Sequence, residues 1–222
     1  IAKIYNLFII EDSAQAVRAE YKGKTTGSFG HTGCFSLHPL KNLSACGDGG
    51  VITTNNEKIY KSLVIARNHG LKNRDKCEFW SYNSRLDNLQ AALLNIKLKK
   101  LPEWTERRRK IAAYYYSRLH TLDMIIPFDK PHEKSVYHTF IIQTRKRDEL
   151  KYYLSEHGID TKIHYPIPIH LQKAAALLGY KKGDFPVTEK QQQTILSLPI
   201  FPELTDKQTE YVADNIISFF KK

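Results

Sequence analysis

Short apolar runs and helical stripes alternate along the first part of the chain. Residues 7–10, 33–37 and 51–54 are short runs of apolar or β-branched residues, and this pattern predicts three strands. The first run is wholly apolar, which is typical of a strand in a parallel sheet with both faces covered. A helix is predicted after the third run, capped by Asn55 or Asn56 and continuing to about Asn68.

Helical periodicity dominates the next part of the chain. Residues 85–101 carry a stripe of leucine and isoleucine, widened by further leucines, and Pro102 is expected to end this helix. Residues 103–119 predict a second helix. Its basic run at 107–110 is expected to form a solvated face. The leucine and isoleucine positions are Leu86, Leu89, Leu93 and Ile96, with Leu94, Leu98 and Leu101 beside them.

A boundary is predicted at residues 121–135, which contain two prolines and no periodic pattern. Strands are then expected at 136–144 and 161–165, with a helix at 148–157 between them. A last helix is expected from Thr205, because Gln208 completes a capping box three residues later. The chain is therefore predicted to contain part of an α/β domain at 1–120 and a smaller α+β domain at 121–222.

The charge balance adds a statement about partners. The 222 residues carry 34 Lys and Arg against 23 Asp and Glu, a formal net charge of +11. This excess favours polyanionic partners, such as nucleic acid, a membrane surface or phosphorylated small molecules, without choosing among them. The hydrophobic share of 41% is enough for a packed core and excludes wholesale disorder.

The three cysteines are expected to be free and half-buried in a reduced cytoplasm, because their number is odd and no CxxC occurs. No metal site is expected from their spacing. No apolar run approaches the roughly 18 residues of a transmembrane span, and no membrane partner is expected. Because the sequence lacks an initiator Met and starts like the end of a helix, we expect an internal piece of a longer protein.

One group of residues suggests chemistry. Asp12 lies at the end of the first predicted strand and Ser36 at the end of the second, and Lys41 lies in a glycine-flanked loop that follows. A lysine amine, a buried carboxylate that needs a cation and a hydroxyl are the groups that pyridoxal phosphate requires for its aldehyde, its ring nitrogen and its phosphate. The alternatives are a solvated loop lysine for Lys41 and a helix cap for Asp12.

Four ordered motifs carry a resemblance to a known family. They are EDSAQA (11–16), FSLHPLKN (35–42), GDGGVITTN (47–55) and SYNSRLDNLQAA (81–92). In order and spacing they resemble the nucleotide-sugar aminotransferases of the DegT/DnrJ/StrS kind, which are fold-type-I enzymes dependent on pyridoxal phosphate. RNHG (67–70), IHYPIPIH (163–170), GDFPVTE (183–189) and LSLPIFPELT (196–205) extend the likeness over essentially the whole chain. It implies the C-terminal half of an aspartate-aminotransferase-like large domain, with a mainly parallel sheet, followed by a small α+β domain.

The resemblance assigns roles to five residues. Lys41 matches the Schiff-base lysine, Asp12 the partner of the pyridinium nitrogen, and Gln15 a glutamine near the cofactor's 3-hydroxyl. Ser36 matches a serine that contacts the cofactor phosphate. Asn83 matches an asparagine that reaches the phosphate in the partner subunit, which implies a homodimer with shared active sites.

The match has two departures and one segment with an open interpretation. Ser81 stands where relatives have Gly, and Asp48 where many have Glu. His164, Tyr165 and His170 are expected to line the substrate side and meet the sugar or its diphosphate. The alternative for them is a proline-rich turn with a satisfied histidine.

The implied reaction moves an amino group from an amino acid, glutamate in the family, to a keto sugar carried on a nucleotide diphosphate. A related branch of sugar dehydratases carries His in place of the lysine, so Lys41 argues against dehydration. A catalytically silent relative is a further alternative. A basic nucleic-acid-binding protein is the alternative from a different class, but its only support is the charge of +11, since no nucleic-acid-binding motif is present.

Overall fold

The structure, a computed structural model, describes residues 1–221, which divide into two compact units. The first unit contains Ile1–Glu106 and Asp129–His138. Its elements, in chain order, are α1 (Ala2–Tyr5), β1 (Ile10–Asp12), β2 (Glu20–Tyr21), β3 (Lys24–Thr25), β4 (Thr32–Ser36), β5 (Gly50–Thr53), α2 (Glu57–Ala66), the first part of α3 (Asn88–Leu119) and β6 (Glu133–Lys134).

The second unit contains Arg107–Phe128 and Thr139–Lys222. Besides the end of α3, its elements are β7 (Phe140–Gln143), α4 (Arg147–Glu156), 3-10 turns at Ile169–Leu171 and Lys173–Leu178, α5 (Pro186–Thr194), β8 (Ile195–Leu198) and α6 (Asp206–Lys221). The architecture is α/β. The two units change over at Glu106 rather than at residue 120, so the domain division at 120 stays a prediction.

The sheet that carries the candidate residues has the strand order β1-β4-β5. Strands β1 and β4 are parallel, but β4 and β5 are antiparallel. A mainly parallel sheet was expected, so within residues 1–221 this expectation is wrong for one of its two strand pairs. The reason lies in the connection: residues 37–49 fold back on themselves, with Leu37 N–H donating to the Gly49 carbonyl at 2.8 Å, and no crossover helix separates the strands.

The apolar run at 7–10 also differs from its prediction. The strand begins only at Ile10, and Phe8 and Ile10 are 76% and 71% exposed. Strand β1 lies at the edge of its sheet, and within residues 1–221 the run stays largely exposed, although the Phe8 ring lies 4.7 Å from the His31 ring.

Helix α2 follows its prediction closely. The Asn56 side chain caps it by accepting hydrogen bonds from the N–H groups of Lys58 and Ile59, at 2.9 and 3.2 Å. Glu57 in the first turn complements the positive end of the helix dipole.

Helix α3 is one helix of 32 residues, not two, and Pro102 lies inside it. Proline cannot donate to the carbonyl four residues earlier, so the prediction ended the helix there. Packing on both sides overrides this loss, because Leu101 and Thr105 are 0% and 2% exposed. The Thr105 hydroxyl also donates to the Leu101 carbonyl at 2.8 Å.

The core of the first unit joins α3 to the loop that follows β4. Leu94 and Leu101 of the helix pack with Leu37, Leu43 and Ala45 of the loop in one buried cluster. The predicted stripe is not the buried one, since Leu89 and Ile96 are 74% and 66% exposed.

In the second unit, α6 confirms the predicted capping box. Thr205 N–H donates to Gln208 Oε1 at 3.0 Å, and Gln208 N–H donates to Thr205 Oγ1 at 3.2 Å. Val212 and Ile216 are buried along the same helix. The strand expected at 161–165 is reduced to a single bridge between Lys162 and Ser197.

The basic run of α3 is not the solvated face that was expected. Arg108 is only 8% exposed and donates to the Ile200 carbonyl at 2.7 Å. Burial lowers the pKa of Arg108, and the nearby charge of Glu203 only partly offsets this. Arg107 pairs with Asp206 at 2.6 Å, so this run contacts the segment at the start of α6.

Glu11 organises the glycine-rich turn before β4. Its carboxylate accepts hydrogen bonds from the backbone N–H groups of Gly27, Phe29 and Gly30, at 2.8, 2.6 and 2.6 Å. Burial raises the pKa of Glu11, but the three hydrogen bonds together lower it by more than burial raises it. The pKa therefore lies below its usual value. The anionic form is therefore the one that stabilises this turn.

No helix within residues 1–221 is both long enough and apolar enough to cross a bilayer.

We predict that Glu11→Gln lowers the free energy of unfolding by about 1–2 kcal/mol at pH 7, because bonds to a charged acceptor are replaced by neutral ones. A carboxyl with a lowered pKa stabilises the fold above its unfolded pKa, near 4.5, and loses this effect as pH falls through the folded pKa. Urea unfolding at several pH values should show the difference between wild type and variant shrinking below about pH 4.5.

Glu57→Gln is the control, because Glu57 forms an exposed pair with Lys61 at 3.2 Å. Its effect should stay near 0.5 kcal/mol or less. A Glu11→Gln effect as small as this control would contradict the role assigned to the carboxylate.

Candidate functional site

Asp12 ends strand β1 beside the parallel strand β4. It lies opposite Cys34 in the register, and the next residue, Ser13, donates its N–H to the Cys34 carbonyl at 2.8 Å. Asp12 Oδ1 accepts the N–H of Ala14 at 3.1 Å. Residues 13–19 form turns and irregular backbone, so Asp12 is not the cap of a helix, and that alternative is wrong. The expected burial of the carboxylate is not observed either, because Asp12 is exposed in residues 1–221, as is Gln15.

Ser36 and Lys41 lie at the corresponding end of β4. Ser36 is the last residue of the strand, and its Oγ accepts the N–H of His38 at 3.3 Å. His38 Nδ1 accepts the N–H of Leu40 at 3.2 Å, and the Lys41 N–H donates to the His38 carbonyl at 2.8 Å. These contacts form a tight turn between Ser36 and Lys41. Lys41 is half-buried in this turn.

Three side chains tie the next residues of this loop to the first unit. Asn42 donates to the Val136 carbonyl at 3.0 Å, and its Oδ1 lies 3.1 Å from His138 Nδ1. Lys97 donates to the carbonyl and hydroxyl oxygens of Ser44, at 2.7 and 3.2 Å.

Gln90 supplies the third tie, accepting the Cys46 N–H at 2.8 Å. The sequence analysis missed Asn42, Gln90 and Lys97. The signal was available for the last two, because 90, 94, 97 and 101 recur at helical spacing, but Gln90 and Lys97 are polar and broke the apolar pattern.

Asp12 and Ser36 end the parallel strands β1 and β4, and Lys41 follows in the loop after β4. The carboxyl ends of such strands form the edge at which open α/β sheets bind ligands. The types of these side chains fit pyridoxal phosphate: Lys41 would supply the amine for its aldehyde, Asp12 the carboxylate for its ring nitrogen and Ser36 the hydroxyl for its phosphate.

Asn83 lies on a different part of the first unit. It forms a bridge with Asn68 just after α2, and the Tyr82 carbonyl accepts the His69 N–H at 2.9 Å. Asn83 Oδ1 accepts a hydrogen bond from Arg85 Nε–H at 3.0 Å. The asparagine is exposed, so its side chain is accessible on the surface of the chain.

The three substrate-side candidates lie in the second unit and differ in exposure. His164 and Tyr165 are exposed, and His164 Nδ1 lies 2.8 Å from Ser197 Oγ. His170 is only 6% exposed, and its Nε2 lies 3.0 Å from Glu189 Oε1. This burial favours the alternative of a satisfied structural histidine for His170.

Glu189 completes the contact with His170. Its Oε1 also accepts the Gly183 N–H at 2.8 Å. That backbone bond is the main reason that the pKa of Glu189 lies below its usual value, and the bond from His170 lowers it further, whereas burial raises it. The carboxylate thus holds two separate parts of the chain, at 170 and 183.

The exposure of the three cysteines differs from the prediction at two of them. Cys34 is half-buried as expected, but Cys46 and Cys77 are exposed, which the sequence analysis did not predict. No group of three or more His, Cys, Asp and Glu side chains in residues 1–221 is arranged to hold a metal ion.

Comparisons of this sequence with known proteins find one matching family and several relatives. The sequence model of the DegT/DnrJ/EryC1/StrS aminotransferase family matches residues 1–217. A "Pleiotropic regulatory protein" of Geobacillus stearothermophilus is 44% identical, over 100% of this chain and 60% of that protein. The "dTDP-3-amino-3,6-dideoxy-alpha-D-galactopyranose transaminase" of Aneurinibacillus thermoaerophilus is 43% identical, over 97% of this chain and 59% of that protein.

The fold is similar to a solved structure over its whole length. The crystal structure of S. venezuelae DesV in complex with a ketimine intermediate has a TM-score of 0.96 and 38% sequence identity, and the match covers 100% of this chain and 60% of that one. The chain therefore spans about 60% of the length of the relatives it matches. On these matches, the chain belongs to the DegT/DnrJ/EryC1/StrS aminotransferase family.

Proposed function

We propose that the whole protein is an aminotransferase dependent on pyridoxal phosphate. It moves an amino group from an amino acid, glutamate, to a keto sugar carried on a nucleotide diphosphate. The relative from Aneurinibacillus thermoaerophilus, named as a dTDP-sugar transaminase, supports this substrate class. The observation that carries the proposal is the placement of Asp12, Ser36 and Lys41 at the carboxyl ends of β1 and β4.

Pyridoxal phosphate, when bound, supplies an aldehyde that accepts amino groups and a ring that withdraws electrons. Lys41 Nζ would hold the cofactor through its amine and would serve as the general base and acid of the reaction. The Asp12 carboxylate would keep the ring nitrogen protonated, and the Ser36 hydroxyl would donate to the phosphate. Gln15, exposed in the turn after β1, would contact the cofactor's 3-hydroxyl.

The fold and assembly of the whole protein extend this proposal. The first unit is the C-terminal half of an aspartate-aminotransferase-like large domain, and the protein works as a homodimer in the cytoplasm. Asn83 is exposed, and this accessibility supports a contact with the cofactor phosphate of the partner subunit. Leu89 and Ile96 of α3 are 74% and 66% exposed. Their exposure supports a further apolar surface that packs against these two side chains in the whole protein.

Exposure in the second unit supports two of the expected substrate contacts. His164 and Tyr165 are accessible and meet the sugar or its diphosphate. The His170–Glu189 pair holds the segment that carries them. The charge of +11 then favours binding of the phosphates of both cofactor and substrate.

A regulatory role is the second candidate, and the name of the Geobacillus relative supports it. Such a protein could keep the fold without turnover. Lys41 and Asp12 are both retained here, and this favours catalysis.

We predict that Lys41→Ala abolishes formation of a reducible bond between protein and pyridoxal phosphate, because the only change is the loss of the nucleophilic amine. Borohydride reduction followed by peptide mapping measures this bond, and circular dichroism should report unchanged folding. Labelling that persists at another lysine in the variant would show that Lys41 is the wrong residue. Wild type without any such bond would favour the regulatory candidate.

We predict that Asp12→Asn lowers turnover by about 10²–10⁴-fold, the range of effects on positioned protons, while cofactor binding weakens far less. The amide keeps the size and hydrogen-bonding capacity of the carboxylate but loses the charge that keeps the ring nitrogen protonated. Steady-state kinetics and cofactor titration separate the two quantities. Turnover close to wild type would exclude Asp12 as the partner of that nitrogen.

The shared-site dimer predicts complementation between two inactive variants, Lys41→Ala and Asn83→Ala. Because an isologous dimer places the same loop twice, random subunit exchange should restore about a quarter of wild-type activity. Each mixed dimer then has one site that receives both native residues. If exchange is demonstrated by mass spectrometry and activity does not return, Asn83 does not act in the partner's site.

A further inference from the structure

The backbone around Lys41 is fixed more tightly after the lysine than before it. On the preceding side, the turn rests on hydrogen bonds from His38 and to His38, among exposed residues. On the following side, the very next residue, Asn42, reaches a segment 94 residues away in sequence. That segment, Asp129–His138, belongs to the same compact unit.

Asn42 donates one hydrogen bond and accepts another. Its Nδ2 donates to the Val136 carbonyl at 3.0 Å, and its Oδ1 lies 3.1 Å from His138 Nδ1, which acts as the donor. Val136 is 3% exposed, so the accepting carbonyl belongs to a well-packed residue. The two contacts use both ends of the amide and therefore fix its position and orientation.

We propose that Asn42 is a positioning residue for the amine of Lys41. This inference rests on the proposed function. A lysine side chain is long and rotates about several bonds, so the place of its amine depends on where the backbone directs it. Covalent attachment of a carbonyl compound requires the reacting atoms to be held within a narrow range of distance and angle, and a displacement of about 1 Å can cost about 10²-fold in rate.

The chain offers a matched control in Lys97. It also makes two hydrogen bonds to the same loop, to the carbonyl and hydroxyl of Ser44, at 2.7 and 3.2 Å. Ser44 is three residues beyond Lys41, with the packed residue Leu43 between them. Loss of the Lys97 contacts should loosen the loop beyond this packed point and leave Lys41 in place.

The experiment compares Asn42→Ala with Lys97→Met in the whole protein. The measured quantity is the rate at which added pyridoxal phosphate forms the borohydride-reducible bond at Lys41. The unfolding midpoint is measured alongside. We expect similar losses of stability in both variants, a rate about 10–100-fold lower for Asn42→Ala, and a rate within about threefold of wild type for Lys97→Met.

A double variant tests the route of the effect. If Asn42 acts through its contact with His138, adding His138→Ala to Asn42→Ala should slow the reaction little further, because the contact is already lost. Additive effects of the two changes would overturn that route. Equal rates for Asn42→Ala and Lys97→Met would overturn the positioning role and leave Asn42 as a structural residue.

Failure of this inference is distinct from failure of the proposed function. If wild type forms the bond at Lys41 and Asn42→Ala forms it equally fast, only the positioning role is wrong. If wild type forms no bond at Lys41, the assignment of the lysine itself is wrong.

Discussion

The packing of the loop at 37–49 against helix α3 is the interaction on which the candidate site depends. Leu94 and Leu101 of the helix enclose Leu37, Leu43 and Ala45 of the loop. Each buried leucine contributes about 1.5–3 kcal/mol, whereas each hydrogen bond contributes about 1 kcal/mol. The apolar contacts therefore dominate the stability of the loop, and each hydrogen bond fixes the backbone near the loop residue that it reaches. Without the cluster, a loop of this length would carry Lys41 through many positions.

The same face of α3 supplies both kinds of contact. Gln90, Leu94, Lys97 and Leu101 follow one another at spacings of four, three and four residues, so they lie along one side of the helix. The leucines pack against the loop, and the polar residues bond to its backbone at Cys46 and Ser44. Pro102 stays within this helix because the side chains beside it, Leu101 and Thr105, are buried.

Much of the local structure could be predicted from the sequence, because local signals determine it. The Asn56 cap and the Thr205 capping box use side chains within three residues of the bonds they make. The antiparallel pairing of β4 and β5, the unbroken α3 and the buried Arg108 depend on contacts between distant residues, and a single sequence carries no direct signal of those.

The candidate site divides in the same way. Asp12, Ser36 and Lys41 could be identified because they follow strand ends, and strand ends can be located from apolar runs. Asn42 could not, because its partners lie 94 and 96 residues away, beyond the boundary that the sequence suggested. The candidate residues for the chemistry are thus marked by local pattern, whereas the proposed positioning residue is a polar residue whose partners only the fold reveals. A polar residue next to a reactive side chain is therefore informative once its distant partner is known. At Asn42 that partner is the backbone carbonyl of Val136, which is a buried residue. This contact supports the proposed role of Asn42 in positioning Lys41.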